Sequence, residues 1–364
     1  MNTPEFALRV AWGDRRDEDR VQTFNCGACG NTVYFENIKC LRCGHALGFR
    51  SDKLEIRTVV EAGGGLYREY KKGSGARLRY CANTAQGVCN WLVRDESPSQ
   101  FCVACELNRT IPNLADPGNV LAWGEFERAK KRLIYSLLRL GLPLDGAAMG
   151  KAPLNFDFVN DALTGHFDGV ITIAVGEADS VERERQRKAM DETYRSLLGH
   201  LRHESGHYYW LLLIDGTGNI ERFRELFGDE REHYGAALER HHSQGPPADW
   251  ALHHVSAYAS SHPWEDWAET WAHYLHMIDA LDTAAVHRSE PQFGRIGKLW
   301  PLRPLDVYRV ESFDSLINRW VPLTLALNDI NRSMGHADFY PFVIPELAVT
   351  KLAFVHRVIR RAMQ

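Results

Sequence analysis

The chain contains 364 residues, of which 45% are hydrophobic and 25% charged, and its formal net charge is −4 at pH 7. This composition is typical of a globular protein with two or three domains, and the small negative charge gives no reason to expect strong binding to nucleic acid. No stretch of about 18 consecutive apolar residues is present, and residues 1–9 lack the basic start and apolar run of an export signal. We therefore expect a cytoplasmic protein without a membrane-spanning helix.

All eight cysteines lie before residue 106, in two groups of four. In the first group, two Cys-x2-Cys pairs are separated by ten residues and each pair is followed by glycine; its members are Cys26, Cys29, Cys40 and Cys43. This spacing predicts a zinc ribbon, in which four thiolates hold one structural Zn²⁺. The second group predicts another four-thiolate zinc site and comprises Cys81, Cys89, Cys102 and Cys105. Disulfides are the alternative for an even cysteine count, but a reducing cytoplasm keeps thiols free for metal.

Turn-forming residues from Asn108 to Asn119 follow the last cysteine and predict a domain boundary. We therefore divide the chain into a zinc-ribbon module at 1–110 and a second domain at 111–364. Aromatic and basic residues alternate in the first part, at Tyr67–Lys72 and Arg77–Tyr80. Such stretches can hold nucleic acid, but docking of a protein partner or substrate is the favoured interpretation.

The second domain begins with a predicted helix at about Val120–Leu140, where apolar residues recur at helical spacing. The β-branched run Val170–Val175 predicts a strand. A long helix is predicted from Ser180 to Ile214, because this segment has no proline and its apolar residues recur with gaps of three and four. Within it, the mixed charges of Glu182–Lys188 indicate a solvated helix face.

The sequence His-Glu-Ser-Gly-His occupies residues 203–207 of this predicted helix. Positions i and i+4 lie one above the other on a helix, so His203 and His207 can present two imidazoles to one Zn²⁺, with Glu204 beside them as a base. The alternative is two ordinary histidines in a chain that has 16. The pattern favours a catalytic zinc site of the metallopeptidase type.

A second predicted helix, at Pro263–His276, carries Glu265 and Glu269 one turn apart. A catalytic zinc site takes three protein ligands, so one carboxylate on this helix can bind the metal while the other accepts a hydrogen bond from a ligand histidine. Tryptophan and alanine surround both acids, which predicts burial rather than a solvated face. Two further helices are predicted near the C-terminus, at 313–331 and 345–363.

These elements resemble the gluzincins, in which a Glu-x-x-x-acid segment follows the His-Glu-x-x-His helix. That resemblance implies that Glu265 is the zinc ligand and that Glu269 orients a ligand histidine. Tyr258 lies seven residues before Glu265, as in the similar lethal-factor-like toxins and proline-specific endopeptidases. In those proteins the tyrosine faces the carbonyl under attack, which implies that Tyr258 donates a hydrogen bond to the developing oxyanion.

Four segments together extend the likeness over nearly the whole chain: Thr164–Ile173, Tyr194–Trp210, Glu265–His276 and Asn331–His336. They resemble the bacterial zinc-binding metallopeptidases that carry an N-terminal zinc ribbon. The resemblance implies an α+β fold, with a zincin-like domain that is mostly helical and has a small sheet behind the cysteine-rich module. By analogy with zincins, Val170–Val175 is an edge strand to which an extended peptide adds, although an ordinary core strand fits the sequence equally well.

The sequence therefore predicts one catalytic and two structural zinc ions, and a peptidase that acts on a peptide or protein substrate. Glu204 is the expected general base, and protein docking through the ribbon is the expected additional interaction. The alternative is a non-catalytic adaptor or scaffold with a peptidase-like domain. Degenerate enzymes usually lose the base or a ligand, and because each of these roles is filled here, the enzyme is favoured. A zinc enzyme that hydrolyses another amide is a third possibility.

Overall fold

The computed structural model describes residues 24–71, 75–160, 162, 164–179, 196–286 and 306–363. In these ranges, strands are confined to the part before residue 175, and helices dominate the part after residue 196. A mixed fold behind a cysteine-rich N-terminal region agrees with the predicted class. None of the helices in the described ranges is long and apolar enough to cross a membrane.

The N-terminal region combines a short hairpin with a closed five-stranded barrel. The hairpin pairs β1 (Phe24–Asn25) with β2 (Thr32–Val33). Successive barrel strands are antiparallel and comprise β3 (Ala46–Arg50), β4 (Glu55–Gly63), β5 (Leu66–Glu69), β6 (Leu78–Tyr80) and β7 (Trp91–Arg94). A parallel pairing of β3 with β7 closes the barrel, so that its strands leave no free edge.

A second sheet has four strands in the spatial order β10–β11–β9–β8. In chain order they are β8 (Asn108–Thr110), β9 (Asn155–Val159), β10 (Gly165–Phe167) and β11 (Val170–Ala174). The predicted strand is present as β11, and of the two positions that its sequence allowed, the edge position is wrong. It pairs with β10 in antiparallel and with β9 in parallel orientation.

The edge of β11 is covered because the chain reverses just before it. Asp168 (φ 41°) and Gly169 (φ 80°) form a two-residue turn with positive φ at both positions, the geometry that suits a tight hairpin. This turn folds β10 back along β11, and β10 itself becomes the outer strand. At the other side of the sheet, the first residues of the predicted boundary segment form β8, which pairs with β9.

Helices account for most of the remaining described residues. They are α1 (Val103–Glu106), α2 (Pro117–Arg139), α3 (Leu197–Leu213), α4 (Ile220–Phe227), α5 (Tyr234–Gln244), α6 (Trp250–His253), α7 (Pro263–Val286), α8 (Phe313–Ser333) and α9 (Glu346–Ala362). The helices predicted at 120–140, 263–276, 313–331 and 345–363 are confirmed as α2, α7, α8 and α9.

The helix predicted from Ser180 to Ile214 is not continuous through Ser196. Ser196 has extended backbone angles (φ −108°, ψ 158°), and its hydroxyl accepts a hydrogen bond from the amide of Gly199, so α3 begins only at Leu197. Residues 180–195, including the charged run Glu182–Lys188, lie outside the described residues. The His-Glu-Ser-Gly-His segment therefore begins in the second turn of α3 rather than late in a long helix.

Helices α3 and α7 approach closely at Gly206. A Cβ atom added at Gly206 would lie 2.9 Å from the Cα of Ala268, which leaves no room for a side chain. Trp267 Nε1 donates a hydrogen bond to the Gly206 carbonyl (2.8 Å), and Trp271 Nε1 donates to Ser205 Oγ (3.1 Å). The two residues between Glu204 and His207 thus dock α3 against α7 and bring the histidines to the carboxylates.

The buried apolar core runs without interruption across residue 110, from the cysteines through Trp123 and Phe126 on α2 to Trp267 on α7. A buried ionic cluster accompanies it on α2. Glu127, which is fully buried, accepts hydrogen bonds from Lys130 (2.6 Å), Lys131 (2.5 Å) and Asn108 (2.7 Å). Lys131 also donates to the carbonyl of Val88 (2.9 Å), beside Cys89. Helix α2 therefore joins the cysteine-rich region to the second sheet, and the division at residue 110 stays a prediction.

Candidate active site

The two histidines of α3 face Glu265 of α7. His203 Nε2 lies 3.0 Å from Glu265 Oε2, and His207 Nε2 lies 3.5 Å from Glu265 Oε1. All three residues are buried, and one potential ligand atom from each lies within 4.8 Å of the others. The structure thus brings the three predicted zinc ligands together.

The donor set fits Zn²⁺. With ligand distances of about 2.0–2.2 Å, tetrahedral coordination places neighbouring ligand atoms about 3.3 Å apart. The two nitrogen–oxygen distances, 3.0 and 3.5 Å, bracket this value. Glu265 Oε2 is buried and makes no hydrogen bond to the described residues, although it faces an imidazole nitrogen. A shared metal would satisfy both atoms.

The charges at this position stabilise one another. Burial raises the pKa of Glu265, but nearby His207 and the contact with His203 outweigh burial and lower that pKa to about 2. Burial likewise lowers the pKa of His203, but the nearby carboxylates of Glu265 and Glu269 outweigh it and raise that pKa well above the usual value. Such opposed shifts arise where ionisable groups have been buried as partners.

Glu269 contacts the far side of His203. Its Oε1 lies 2.7 Å from His203 Nδ1, and its Oε2 accepts a hydrogen bond from Ser256 Oγ (2.6 Å). A carboxylate on Nδ1 fixes the ring and directs the lone pair of Nε2 towards the metal position. The arrangement is the one that the sequence analysis expected for Glu269, while the contribution of Ser256 was missed.

Tyr234 is a second residue that sequence reasoning missed. It is the first residue of α5, and its hydroxyl donates a hydrogen bond to Glu265 Oε1 (2.7 Å). Burial and the charge of Glu265 raise the pKa of Tyr234, so the phenol remains protonated and able to donate. Glu265 is therefore held by a tyrosine as well as facing two histidines.

Glu204 and Tyr258 lie on the wall of the same cavity, which has a volume of about 930 Å³. Glu204 is buried next to the two histidines. Tyr258 begins a 3-10 turn (Tyr258–Ser261), and its ring centre is 6.0 Å from that of His203. Burial and the nearby charge of Glu265 raise the pKa of Tyr258, which keeps its hydroxyl protonated. Gly165 and His166 of the outer strand β10 also line this cavity.

The first cysteine group forms two tight turns around a common point. The amides of Gly30 and Gly44 donate hydrogen bonds to the carbonyls of Cys26 and Cys40 (2.8 Å each), and both glycines have positive φ. Its Sγ atoms approach within 3.5 Å for Cys26 and Cys43, and within 3.6 Å for Cys29 and Cys40. Burial raises the pKa of Cys26, but the Thr58 hydroxyl and backbone amides outweigh it and lower that pKa to about 6, which favours the thiolate form that binds metal.

The second cysteine group is buried throughout, at the junction of the barrel and α1. Cys89 Sγ lies 3.8 Å from both Cys102 Sγ and Cys105 Sγ, and the amide of Cys102 donates a hydrogen bond to Cys81 Sγ (3.3 Å). The eight cysteines carry free thiols and gather as the two predicted groups of four. Both groups can hold a metal ion.

Comparison with known proteins assigns both parts of the chain. Residues 119–358 match the family described as "Putative zinc-binding metallo-peptidase", and residues 23–116 match a zinc-ribbon domain. The chain belongs to this metallopeptidase family. This confirms the resemblance drawn from the sequence. Similar proteins from Mycobacterium bovis and from two strains of Mycobacterium tuberculosis, each named an uncharacterized protein, are 40% identical over 345 residues, which cover 93% of this chain and 95% of theirs. No solved structure matches the chain.

In this member of the metallopeptidase family, one cavity brings together six residues singled out from the sequence: His203, Glu204, His207, Tyr258, Glu265 and Glu269. Tyr234 could not be found in the same way, because it lies 31 residues before the Glu265 that it contacts and follows no motif spacing. His200 lies in the same cavity wall. Its position one turn before Glu204 was a usable signal, since residues four apart share a helix face.

Proposed function

We propose that the protein is a zinc-dependent peptidase whose metal is held by His203, His207 and Glu265. The observation that carries this proposal is the convergence of these three side chains on one point, with the carboxylate of Glu204 in the same cavity. When bound, Zn²⁺ lowers the pKa of a water molecule and polarises the carbonyl of the bond to be cleaved. The two further zinc ions predicted at the cysteine groups have structural roles.

The side chains supply the remaining chemistry. Glu204 accepts a proton from the attacking water and then delivers it to the leaving amine. Tyr258 donates a hydrogen bond from its hydroxyl group to the oxyanion that develops at the carbonyl. Glu269 keeps His203 in the orientation that exposes Nε2 to the metal, and Tyr234 holds the carboxylate of Glu265.

An extended peptide is the substrate that suits the cavity. Among the described residues no strand pairs with the outer edge of β10, and two residues of β10 line the cavity wall. Backbone hydrogen bonds to such an edge bind a peptide irrespective of its side chains. This role belongs to β10 rather than to β11, which has partner strands on both sides.

The test is cleavage of an unbiased peptide library by the purified protein, with and without a chelator, followed by assay of Glu204→Gln on the best substrate. The amide is nearly isosteric with the carboxylate but cannot accept the proton, so turnover should fall at least about 10²-fold. Zinc content, measured on the same samples, should not change because Glu204 is not a ligand. Full activity in Glu204→Gln would rule out this mechanism.

The second candidate is a non-catalytic adaptor that uses the ribbon for docking and keeps the peptidase-like part as a scaffold. The buried, complete set of ligands, base and tyrosine favours catalysis, because an adaptor has no use for a buried carboxylate beside a metal position. Absence of cleavage by the zinc-loaded wild-type protein across a broad library would favour the adaptor.

A further inference from the structure

Glu204 has a partner on its own helix that the mechanism above does not use. His200 lies one turn before it on α3, and His200 Nε2 is 3.3 Å from Glu204 Oε1. The other nitrogen of the same ring, Nδ1, is 2.8 Å from Oε2 of Glu177. The imidazole therefore bridges two carboxylates, and each of its nitrogens is directed at an oxygen.

The second carboxylate is itself fixed. Glu177 is 3% exposed, and it lies in the 3-10 turn Val175–Ala178 that follows β11. Its Oε1 accepts a hydrogen bond from the hydroxyl of Thr164, just before β10, and that hydroxyl accepts a hydrogen bond from the amide of Ala174. The contacts of His200 therefore lead through Glu177 and Thr164 to the backbone of the second sheet. His200 is thus held by residues outside its own helix.

The two oxygens of Glu204 have different surroundings. Oε1 faces His200, whereas Oε2 is buried and makes no hydrogen bond to the described residues. A carboxylate held through one oxygen can present the other in a fixed direction. Such preorganisation matters for a base, because proton transfer requires a distance of about 2.6–3.2 Å to the group that loses the proton.

We propose that His200 is a positioning residue for Glu204: it holds Oε1, is itself oriented by Glu177 and Thr164, and so leaves Oε2 as the oxygen that accepts the proton. This inference rests on the proposed peptidase function. Burial lowers the pKa of His200, but hydrogen bonds to Glu177 and Glu204 outweigh it and raise that pKa to about 9, so the ring carries a proton on both nitrogens near neutral pH. His200 is then a donor to both carboxylates, as the contacts require.

The test compares His200→Ala with His200→Gln in the zinc-loaded, full-length protein. In His200→Ala, kcat should fall about 10- to 100-fold, the usual effect of losing a supporting contact, while KM and zinc content stay within about twofold. His200→Gln should recover part of the loss, because its amide can donate to Glu204. His253→Ala is the matched control: the His253 side chain is exposed on α6, pairs with Asp249 (3.3 Å) and does not line the cavity, so activity should be unchanged.

A binding measurement separates this inference from the proposed function. Acetohydroxamate, titrated calorimetrically, combines a metal-binding group with a hydroxyl that donates to the base. Its affinity should fall in both His200→Ala and Glu204→Gln, and the double variant should be no weaker than Glu204→Gln alone, because both changes remove one interaction. Wild-type kcat and affinity in His200→Ala, or losses that add in the double variant, would overturn the role of His200. If the wild-type protein cleaved no peptide, the proposed peptidase function would be wrong. The titration would still show whether His200 holds Glu204.

Discussion

At the scale of single residues, two glutamates one turn apart on α7 differ in the histidine atoms that they contact. Glu265 faces the Nε2 atoms of His203 and His207, whereas the carboxylate of Glu269 contacts Nδ1 of His203. Glu265→Ala should therefore remove the catalytic zinc, because three ligands become two. Glu269→Ala should weaken zinc binding or activity about 10- to 100-fold. Elemental analysis and chelator competition measure both, and the reverse order of effects would show that the ligand assignment is wrong.

Replacing either tyrosine of the cavity should affect catalysis differently, because the two hydroxyl groups donate to different partners. Tyr258→Phe removes a donor to the oxyanion, so we expect a lower kcat that added zinc does not restore, with a smaller loss than in Glu204→Gln. Tyr234→Phe removes the hydrogen bond to Glu265, so we expect zinc affinity to fall and added zinc to restore activity. Steady-state kinetics over a range of free zinc concentrations separates the two outcomes. Rescue of Tyr258→Phe by zinc would contradict the assignment.

Residue roles were predictable here where spacing along a helix determines them. Four-residue spacing on α3 and α7 places two histidines and two carboxylates on facing surfaces, and the structure brings them together. Contacts between distant segments follow no such rule. Ser256 reaches Glu269, and Glu177 reaches His200, only because loops of the folded chain place them there.

At the scale of elements, the contact of α3 with α7 determines whether the ligands meet. Gly206→Ala should drive its new Cβ into the backbone of Ala268 and cost about 1–3 kcal/mol of unfolding free energy, with weaker binding of the catalytic zinc. Gly218→Ala is the control, because a Cβ added there meets nothing within 4 Å. Urea unfolding and zinc titration give the comparison. Equal stability of the two variants would show that the contact between α3 and α7 tolerates a side chain at position 206.

Helices with strong apolar periodicity were predicted to within a few residues, as α2, α8 and α9 illustrate. The position of a strand within its sheet was harder to predict. The run Val170–Val175 shows its β-branched character in sequence, but its place in the sheet depends on β10, whose three residues Gly165–Phe167 have no strand pattern of their own. The break at Ser196 was missed because a single capping serine is a weak signal within a segment that otherwise favours a helix.

At the scale of the whole molecule, we expect close to three zinc ions per purified chain. Cys26→Ser with Cys29→Ser should remove one ion and loosen the N-terminal hairpin, since structural zinc contributes directly to folding. Cys102→Ser with Cys105→Ser should destabilise the whole chain more severely, because these cysteines are buried in the common core, whereas Cys29 is partly exposed. Elemental analysis and thermal unfolding test both pairs. An unchanged metal count in either pair would refute that site.

The closed barrel is the largest feature that the sequence did not reveal. Its strands are short, from three to nine residues, and the pairing of β3 with β7 joins segments about forty residues apart. Local alternation of apolar and polar residues carries little information about such pairings. The cysteine spacing predicted the two groups of four thiols that the structure brings together, but not the barrel.

The buried cluster around Glu127 limits which zinc ribbons can replace the one in this chain. Glu127 accepts hydrogen bonds from Lys130 and Lys131 on α2 and from Asn108 on β8. Lys131 also donates to the Val88 carbonyl beside Cys89. A ribbon from another lineage that lacks an amide at the position of Asn108 would leave buried Glu127 without one of its donors and buried Lys130 without one of its acceptors, at a cost of about 1–3 kcal/mol. Because Glu127 and both lysines lie on α2, a chimaera with an exchanged ribbon should keep more stability when asparagine is retained at position 108.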